Sequence, residues 1–166
     1  AGRVAAFDPP TARCHRLHPR NHAMNAVVPI SEGVFTSLDP NETHLIGSLC
    51  SNCGYHAFPA LNTCPRCCGT SVEEVQLHRR GTLWTWTKQH FMPPSPPYSG
   101  PEDSWETFRP FLLGMVELPG QCRVISRLLV EDESAIAIGM EMELTLFPYT
   151  TDKEDVTRMA YAFREI

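Results

Sequence analysis

Four cysteines, Cys50, Cys53, Cys64 and Cys67, carry the strongest chemical signal in the sequence. They form two Cys-x-x-Cys pairs separated by ten residues. Two such pairs can bring four thiolates to the corners of one tetrahedron, the arrangement that Zn²⁺ prefers at structural sites. Four sulfur ligands leave no open coordination position, so the expected Zn²⁺ is structural and performs no chemistry. Gly54 directly follows the first pair and can take the positive φ that such a turn often needs. In the second pair Cys68 follows Cys67, and only then comes Gly69. Cys67 keeps the two-residue spacing and is taken as the fourth ligand, with Cys68 as the alternative. Other chemistry is sparse. No phosphate-cradling glycine loop, nucleophile elbow or His-Glu-x-x-His helix is present. His56 and His90 have acid–base side chains, but no carboxylate pair or nucleophile is recognisable beside either. Cys122 falls on an expected strand and reads as a small core residue. No catalytic residue is expected, and the chain on its own does not read as an enzyme.

The cysteines need a scaffold. His44–Leu49 reads as a strand entering the first pair, Tyr55–Phe58 as one leaving it, and Val72–Leu77 as a third after the second pair. Strand, knuckle, strand, knuckle, strand is a rubredoxin-like zinc ribbon, assigned to residues 50–78. So small a unit buries too little apolar surface to fold alone, and metal binding supplies about 10–16 kcal/mol in zinc-finger peptides. Residues 30–49 form a lead-in, with a short helical turn expected over Ser31–Leu38, Ser31 as its N-cap and Asp39-Pro40-Asn41 as its stop. Residues 1–29 mix Arg, Pro and His without apolar periodicity and read as a flexible tail, in which Met24 is an alternative start. Cys14, His15, His18 and His22 could be drawn as a second metal set, but that composition fits a tail better.

From residue 79 to 166 the pattern becomes period-two alternation in five segments: Gly81–Phe91, Phe111–Leu118, Cys122–Val130, Met140–Leu146 and Met159–Phe163. Leu118-Pro119-Gly120-Gln121 has the Pro and Gly positions of a type II turn. Five short antiparallel strands are what an OB-fold barrel requires, and closure removes exposed edges; a small open sandwich is the competing architecture. The expected fold is thus mainly β, a zinc ribbon followed by a five-stranded OB-fold barrel. Between the first two barrel strands lies Met92-Pro93-Pro94-Ser95-Pro96-Pro97-Tyr98, then Trp105, Phe108, Arg109 and Pro110. So many prolines exclude a regular element, and aromatic residues on such a loop seldom stay uncovered. Trp84, Trp86, Phe91, Tyr98, Trp105 and Phe108 are therefore candidates for a partner interface, with Trp84 and Trp86 expected on one strand face. The simpler alternative is a loop packed on its own barrel.

The bulk numbers narrow the function classes. Of 166 residues, 42% are apolar and 20% charged, and no apolar run approaches a membrane span. No stretch has the three regions of a secretory signal. Seven cysteines, four at metal spacing, suit a reducing compartment, so a cytoplasmic protein is expected. A net charge of −5 argues against nucleic acid as partner. The runner-up function nevertheless is a single-strand nucleic-acid binder, because OB barrels combine aromatic platforms with basic grooves. A rubredoxin-like iron site is a third, minor reading.

Several motifs occur together: Cys-x-x-Cys-Gly, Phe58-Pro59, Cys-Pro-x-Cys, then Arg80-Gly81-Thr82-Leu83-Trp84-Thr85-Trp86-Thr87. Pro110-Phe111-Leu112-Leu113-Gly114-Met115-Val116-Glu117-Leu118 and Met159-Ala160-Tyr161-Ala162-Phe163-Arg164 follow. Over about residues 30–166 the chain resembles the acyl-CoA-associated zinc-ribbon/OB-fold family, long carried as a domain of unknown function. The resemblance implies a small accessory subunit of a thiolase-like enzyme that makes or breaks a C–C bond in an acyl-CoA. The implied partner is a thiolase or a retro-aldolase of steroid side-chain degradation, and an α2β2 assembly is expected. Catalytic groups then belong to the large subunit, and the small one supports it and helps shape the channel for the CoA thioester. Arg79, Arg80 and Lys88 could meet CoA phosphates, though ordinary surface charge is the simpler reading.

Overall fold

The computed structural model describes residues 26–92 and 106–166. Its strands are β1 (Val27–Pro29), β2 (Ile46–Cys50), β3 (His56–Ala57), β4 (Val72–Gln76) and β5 (Arg80–Gln89). They continue with β6 (Phe111–Glu117), β7 (Arg123–Leu129), β8 (Glu141–Thr151) and β9 (Thr157–Glu165), with one 3₁₀ turn at Glu133–Ala135. The five alternating segments of the sequence are β5 to β9, each within two residues of its expected bounds except β8, which runs five residues past Leu146 to Thr151.

The ribbon is a three-stranded antiparallel sheet in the order β3-β2-β4. The barrel runs β9-β7-β6-β5-β8 and is closed by β8 pairing back onto β9. Closure leaves the OB barrel without a free outer strand. One expectation is corrected: β7 and β9 pair in parallel, Arg127 opposite Ala162, so the barrel is not wholly antiparallel. Side-chain alternation is the same in both pairings, so it cannot report strand direction. Direction is fixed by the chain path, which crosses through β8 before β9 returns beside β7. Val27–Pro29, expected to be part of the flexible tail 1–29, instead form β1 and add in parallel to β9 at Thr157–Met159, where the backbone finds partners along that strand. The turn between β6 and β7 has Gly120 at φ +70 and a bond from Gln121 N to Leu118 O of 3.0 Å, as a type II turn requires.

A second correction concerns Ser31–Leu38, which does not wind into a helical turn. Phe35 instead bridges Leu45, with Thr36 N on His44 O at 3.0 Å and Ile46 N on Val34 O at 2.9 Å. A helix this short gains too few bonds to offset its nucleation cost, whereas a neighbouring extended segment satisfies the same amides at once. Leu38 is exposed.

One core joins the two parts. Leu83, Val116, Val124, Met142, Leu144 and Phe163 fill the barrel, while Phe35, Leu45 and Leu77 reach it from the lead-in and the ribbon end. Each buried side chain of this size contributes about 1.5–3 kcal/mol. Phe58, just after β3, meets Tyr161 of β9 edge-on with ring centroids 5.4 Å apart. The ribbon is thereby seated on the barrel by apolar contact as well as by chain connection.

Candidate metal centre

The Sγ atoms of Cys50, Cys53, Cys64 and Cys67 lie within 4.8 Å of one another. Cys50 Sγ is 3.6 Å from Cys67 Sγ, and Cys53 Sγ is 3.6 Å from Cys64 Sγ. A tetrahedron with metal–sulfur bonds of about 2.3 Å has corners about 3.8 Å apart, so the four sulfurs already frame a site of that size. The donor set fits Zn²⁺ and leaves no ligand position for a substrate.

The backbone explains why two hairpin turns produce this arrangement. In the first knuckle Gly54 N donates to Cys50 O at 2.8 Å and Cys50 N to Tyr55 O at 2.9 Å. In the second, Cys68 N donates to Cys64 O at 2.9 Å and Cys64 N to Gly69 O at 2.9 Å. The patterns superpose position for position, which makes Cys68 the counterpart of Gly54. Both occupy the left-handed region, Gly54 at φ +71 and Cys68 at φ +57. Cys68 is exposed and stands outside the sulfur cluster, so the fourth member is Cys67.

The metal-free thiols influence one another. Burial pushes the Cys64 thiol up, but hydrogen bonds from the Cys67 and Arg66 amides and the Cys53 and Cys50 thiols outweigh it and bring it to about 7. The Gly69 amide pulls Cys67 down, yet the Cys50 and Cys53 thiols, burial and Cys64 push it up to about 12. Cys64 thus ionises readily while Cys67 holds its proton. A divalent cation would displace the thiol protons, so metal affinity must rise with pH.

The other sequence candidates fall into several settings. Trp84 is half exposed at a β-bulge between Leu83 and Thr85, with the Arg123 guanidinium 4.1 Å from its ring centroid. Trp86 pairs with Gly114 and borders an apolar cleft with Leu113, Met115 and Ile125. The bulge interrupts alternation, so the two tryptophans do not share one simple strand face. Phe91 is the most exposed large apolar residue described, at 79%. Phe108 corrects its assignment to a surface: it is buried, edge-on to Phe111 at 5.9 Å. Tyr98 and Trp105 lie outside the described residues, as do Cys14, His15, His18 and His22.

Arg79, Arg80 and Lys88 are all engaged within the chain. Arg79 donates to Thr43 O at 2.8 Å and Pro40 O at 3.0 Å, tying the lead-in to the start of the barrel. Arg80 and Arg164 share Glu143, at 3.3 and 3.0 Å, and Lys88 pairs with Glu133. The Arg164 hydrogen bond above all, aided by Arg80 and opposed by burial, holds the Glu143 carboxyl below its usual range. Cys122 is half buried, and burial pushes its thiol up, as suits a packing residue.

Sequence reasoning missed Arg127. It lies on the outer face of β7, opposite Leu113, with its guanidinium carbon 4.1 Å from the Phe111 ring centroid and 5.3 Å from that of Phe147. The only available signal was that Phe111, Arg127 and Phe147 all fall at outward positions of their strands.

Ribbon and barrel together define the protein class, a zinc-ribbon/OB-fold module. Residues 74–147 match the family described as ChsH2, C-terminal OB-fold domain. A benzoylsuccinyl-CoA thiolase subunit, BbsA, of Thauera aromatica is 30% identical over 128 residues, covering 77% of this chain and 81% of that one. A DUF35 domain-containing scaffold protein of Pyrococcus furiosus is 30% identical over 123 residues, covering 74% and 83%. Another, of Methanocaldococcus jannaschii, is 28% identical over 124 residues, covering 74% and 82%. The chain belongs to this DUF35 family. Among solved structures, a chain of an Ltp2-ChsH2(DUF35) aldolase shares the fold, with TM-score 0.53 and 23% identity over 74% of this chain and 84% of that one.

Proposed function

We propose that this chain is the accessory subunit of a thiolase-fold enzyme that makes or breaks a C–C bond in an acyl-CoA. The observation that carries the reading is a closed four-thiol site in a chain whose relatives include a thiolase subunit. Zn²⁺ held by Cys50, Cys53, Cys64 and Cys67 would fix the ribbon and take no part in catalysis. In this reading the large subunit supplies the catalytic groups. Thiolase folds dimerise, so the assembly is an α2β2 heterotetramer in the reducing cytoplasm. The acyl-CoA channel then runs beside the small subunit, and either retro-aldol cleavage of a steroid side chain or thiolysis fits the reading.

The test is co-expression with a thiolase-like protein of the same organism. A stable complex of equal stoichiometry, one zinc per small subunit by elemental analysis, and C–C bond activity only in the complex are expected. A monodisperse small protein, indifferent to that partner, would overturn the reading.

A further inference from the structure

We infer that the catalytic subunit docks on the outer face of β6, β7 and β8, and that it presents a carboxylate to Arg127. This deepens the accessory-subunit reading and rests on it. The face is apolar and continuous. A cleft of about 300 Å³ beside Ile30, Phe147 and Tyr149 meets a second of about 310 Å³ beside Trp86, Met115 and Ile125, and Leu113 borders both. Ile125, 61% exposed, belongs to this contiguous apolar patch, and contiguous patches of this kind mark interaction sites.

Arg127 supplies the recognition chemistry. Its guanidinium, held between Phe111 and Phe147, makes no ion pair and no side-chain hydrogen bond among the described residues. Four glutamates line the adjoining hollow and none pairs with Arg127: Glu133 is held by Lys88, Glu143 by Arg80 and Arg164, Glu165 accepts from the Glu131 amide, and the Glu131 carboxylate makes no ion pair with it. Ring faces fix the guanidinium plane and leave its N–H edge to a planar acceptor, which a carboxylate satisfies with two parallel bonds. A free polyanion is a poor occupant, because those same glutamates repel it. A single carboxylate set in an apolar protein surface satisfies both parts of the face, and buried Arg and aromatic anchors dominate interfaces of this kind.

The experiment measures affinity between the full chain and the co-expressed catalytic subunit. Arg127→Glu is expected to weaken binding at least tenfold, with zinc content unchanged and the chain still folded by circular dichroism. Ile125→Asp, at an exposed position, should weaken it comparably and serves if the first variant misfolds. Lys153→Glu, on the β8–β9 turn, should bind as the wild type does. The amine introduced by Arg127→Lys should be joined to an Asp or Glu of the catalytic subunit by a carbodiimide, which takes up the water lost in amide formation. Wild-type binding by both Arg127→Glu and Ile125→Asp overturns the assignment of this face. So does equal weakening by Lys153→Glu, a cross-link confined to this chain, or a self-dimer of this chain that Arg127→Glu dissolves. If the wild-type chain itself fails to bind, the accessory-subunit reading falls and this surface falls with it.

Discussion

The two metal knuckles share one backbone and solve it with different residues. In the first, Gly54 supplies the left-handed conformation, and a Cβ there would meet nothing within 4 Å. Its reason for being glycine is conformation alone. In the second, that position belongs to Cys68 at φ +57, and glycine comes one residue later. A Cβ on Gly69 would lie 2.6 Å from Asn52 Nδ2 and 3.3 Å from Cys67 Sγ, so the limit there is space against the first knuckle. What the first knuckle does with Gly54, the second divides between two residues. The fifth cysteine of the ribbon is therefore a backbone device that happens to carry a thiol.

This comparison can be broken most decisively at the sulfurs. Cys53→Ser should lose zinc and lower the melting temperature by well over ten degrees, since structural zinc contributes about 10–16 kcal/mol in small domains. Cys68→Ser should keep one zinc per chain and melt within a few degrees of wild type. Equal zinc loss in both variants would make Cys68 a ligand and end the analogy with Gly54. A smaller effect lies in the backbone. Gly54→Ala should cost about 1–2 kcal/mol by forcing a side chain into the left-handed region. Cys68→Gly should gain about 0.5–1 kcal/mol, the relieved strain less the entropy of an added glycine. Denaturant midpoints measure both, and a loss of stability in Cys68→Gly would show that the thiol contributes something of its own.

Acid should act on both knuckles together. Thiolates bind metal and thiols do not, so zinc retention against a fixed chelator should fall from pH 8 to pH 5, with no difference between wild type and Cys68→Ser. The smallest effect calibrates the barrel away from the metal. Glu143 has a folded pKa below its ordinary 4.5, so its contribution is fully present above that value and is lost as pH falls through the depressed one. Glu143→Gln should flatten that acid slope in denaturant midpoints and leave zinc content untouched.

Much of this was readable in the sequence. Met142, Leu144 and Leu146 alternate with polar neighbours, so a one-faced strand and its inward side follow directly, and all three are buried. The cysteine spacing likewise gave the sulfur cluster. Strand direction did not follow, because Ala162 beside Arg127 looks alike in a parallel or an antiparallel ladder. Nor did the extended course of Val34–Thr36, whose partner, His44–Ile46, is chosen by tertiary pairing. The role of Cys68 was half visible, since the position after each pair could be compared, but a positive φ at a non-glycine residue leaves no compositional trace. Phe108 and Phe111 are equally aromatic in sequence, and only the fold buries the first and places the second under a cation.

The barrel's joints are unequal. β6 pairs with both β5 and β7 along most of its length, and β8 pairs with β9 from Met142 to Thr151. Between these two leaves run only short seams: Arg80–Thr82 against Glu141–Glu143, and Arg127–Leu129 against Ala162–Arg164. The molecule is thus closer to a book closed along two edges than to a uniform ring. Parting the leaf of β8 and β9 from the other three strands would break the fewest ladder pairings. Glu143 pins one seam through Arg80, and Arg127 spans the other side by reaching from β7 to Phe147 on β8. A partner that grips Arg127 would therefore hold both leaves at once.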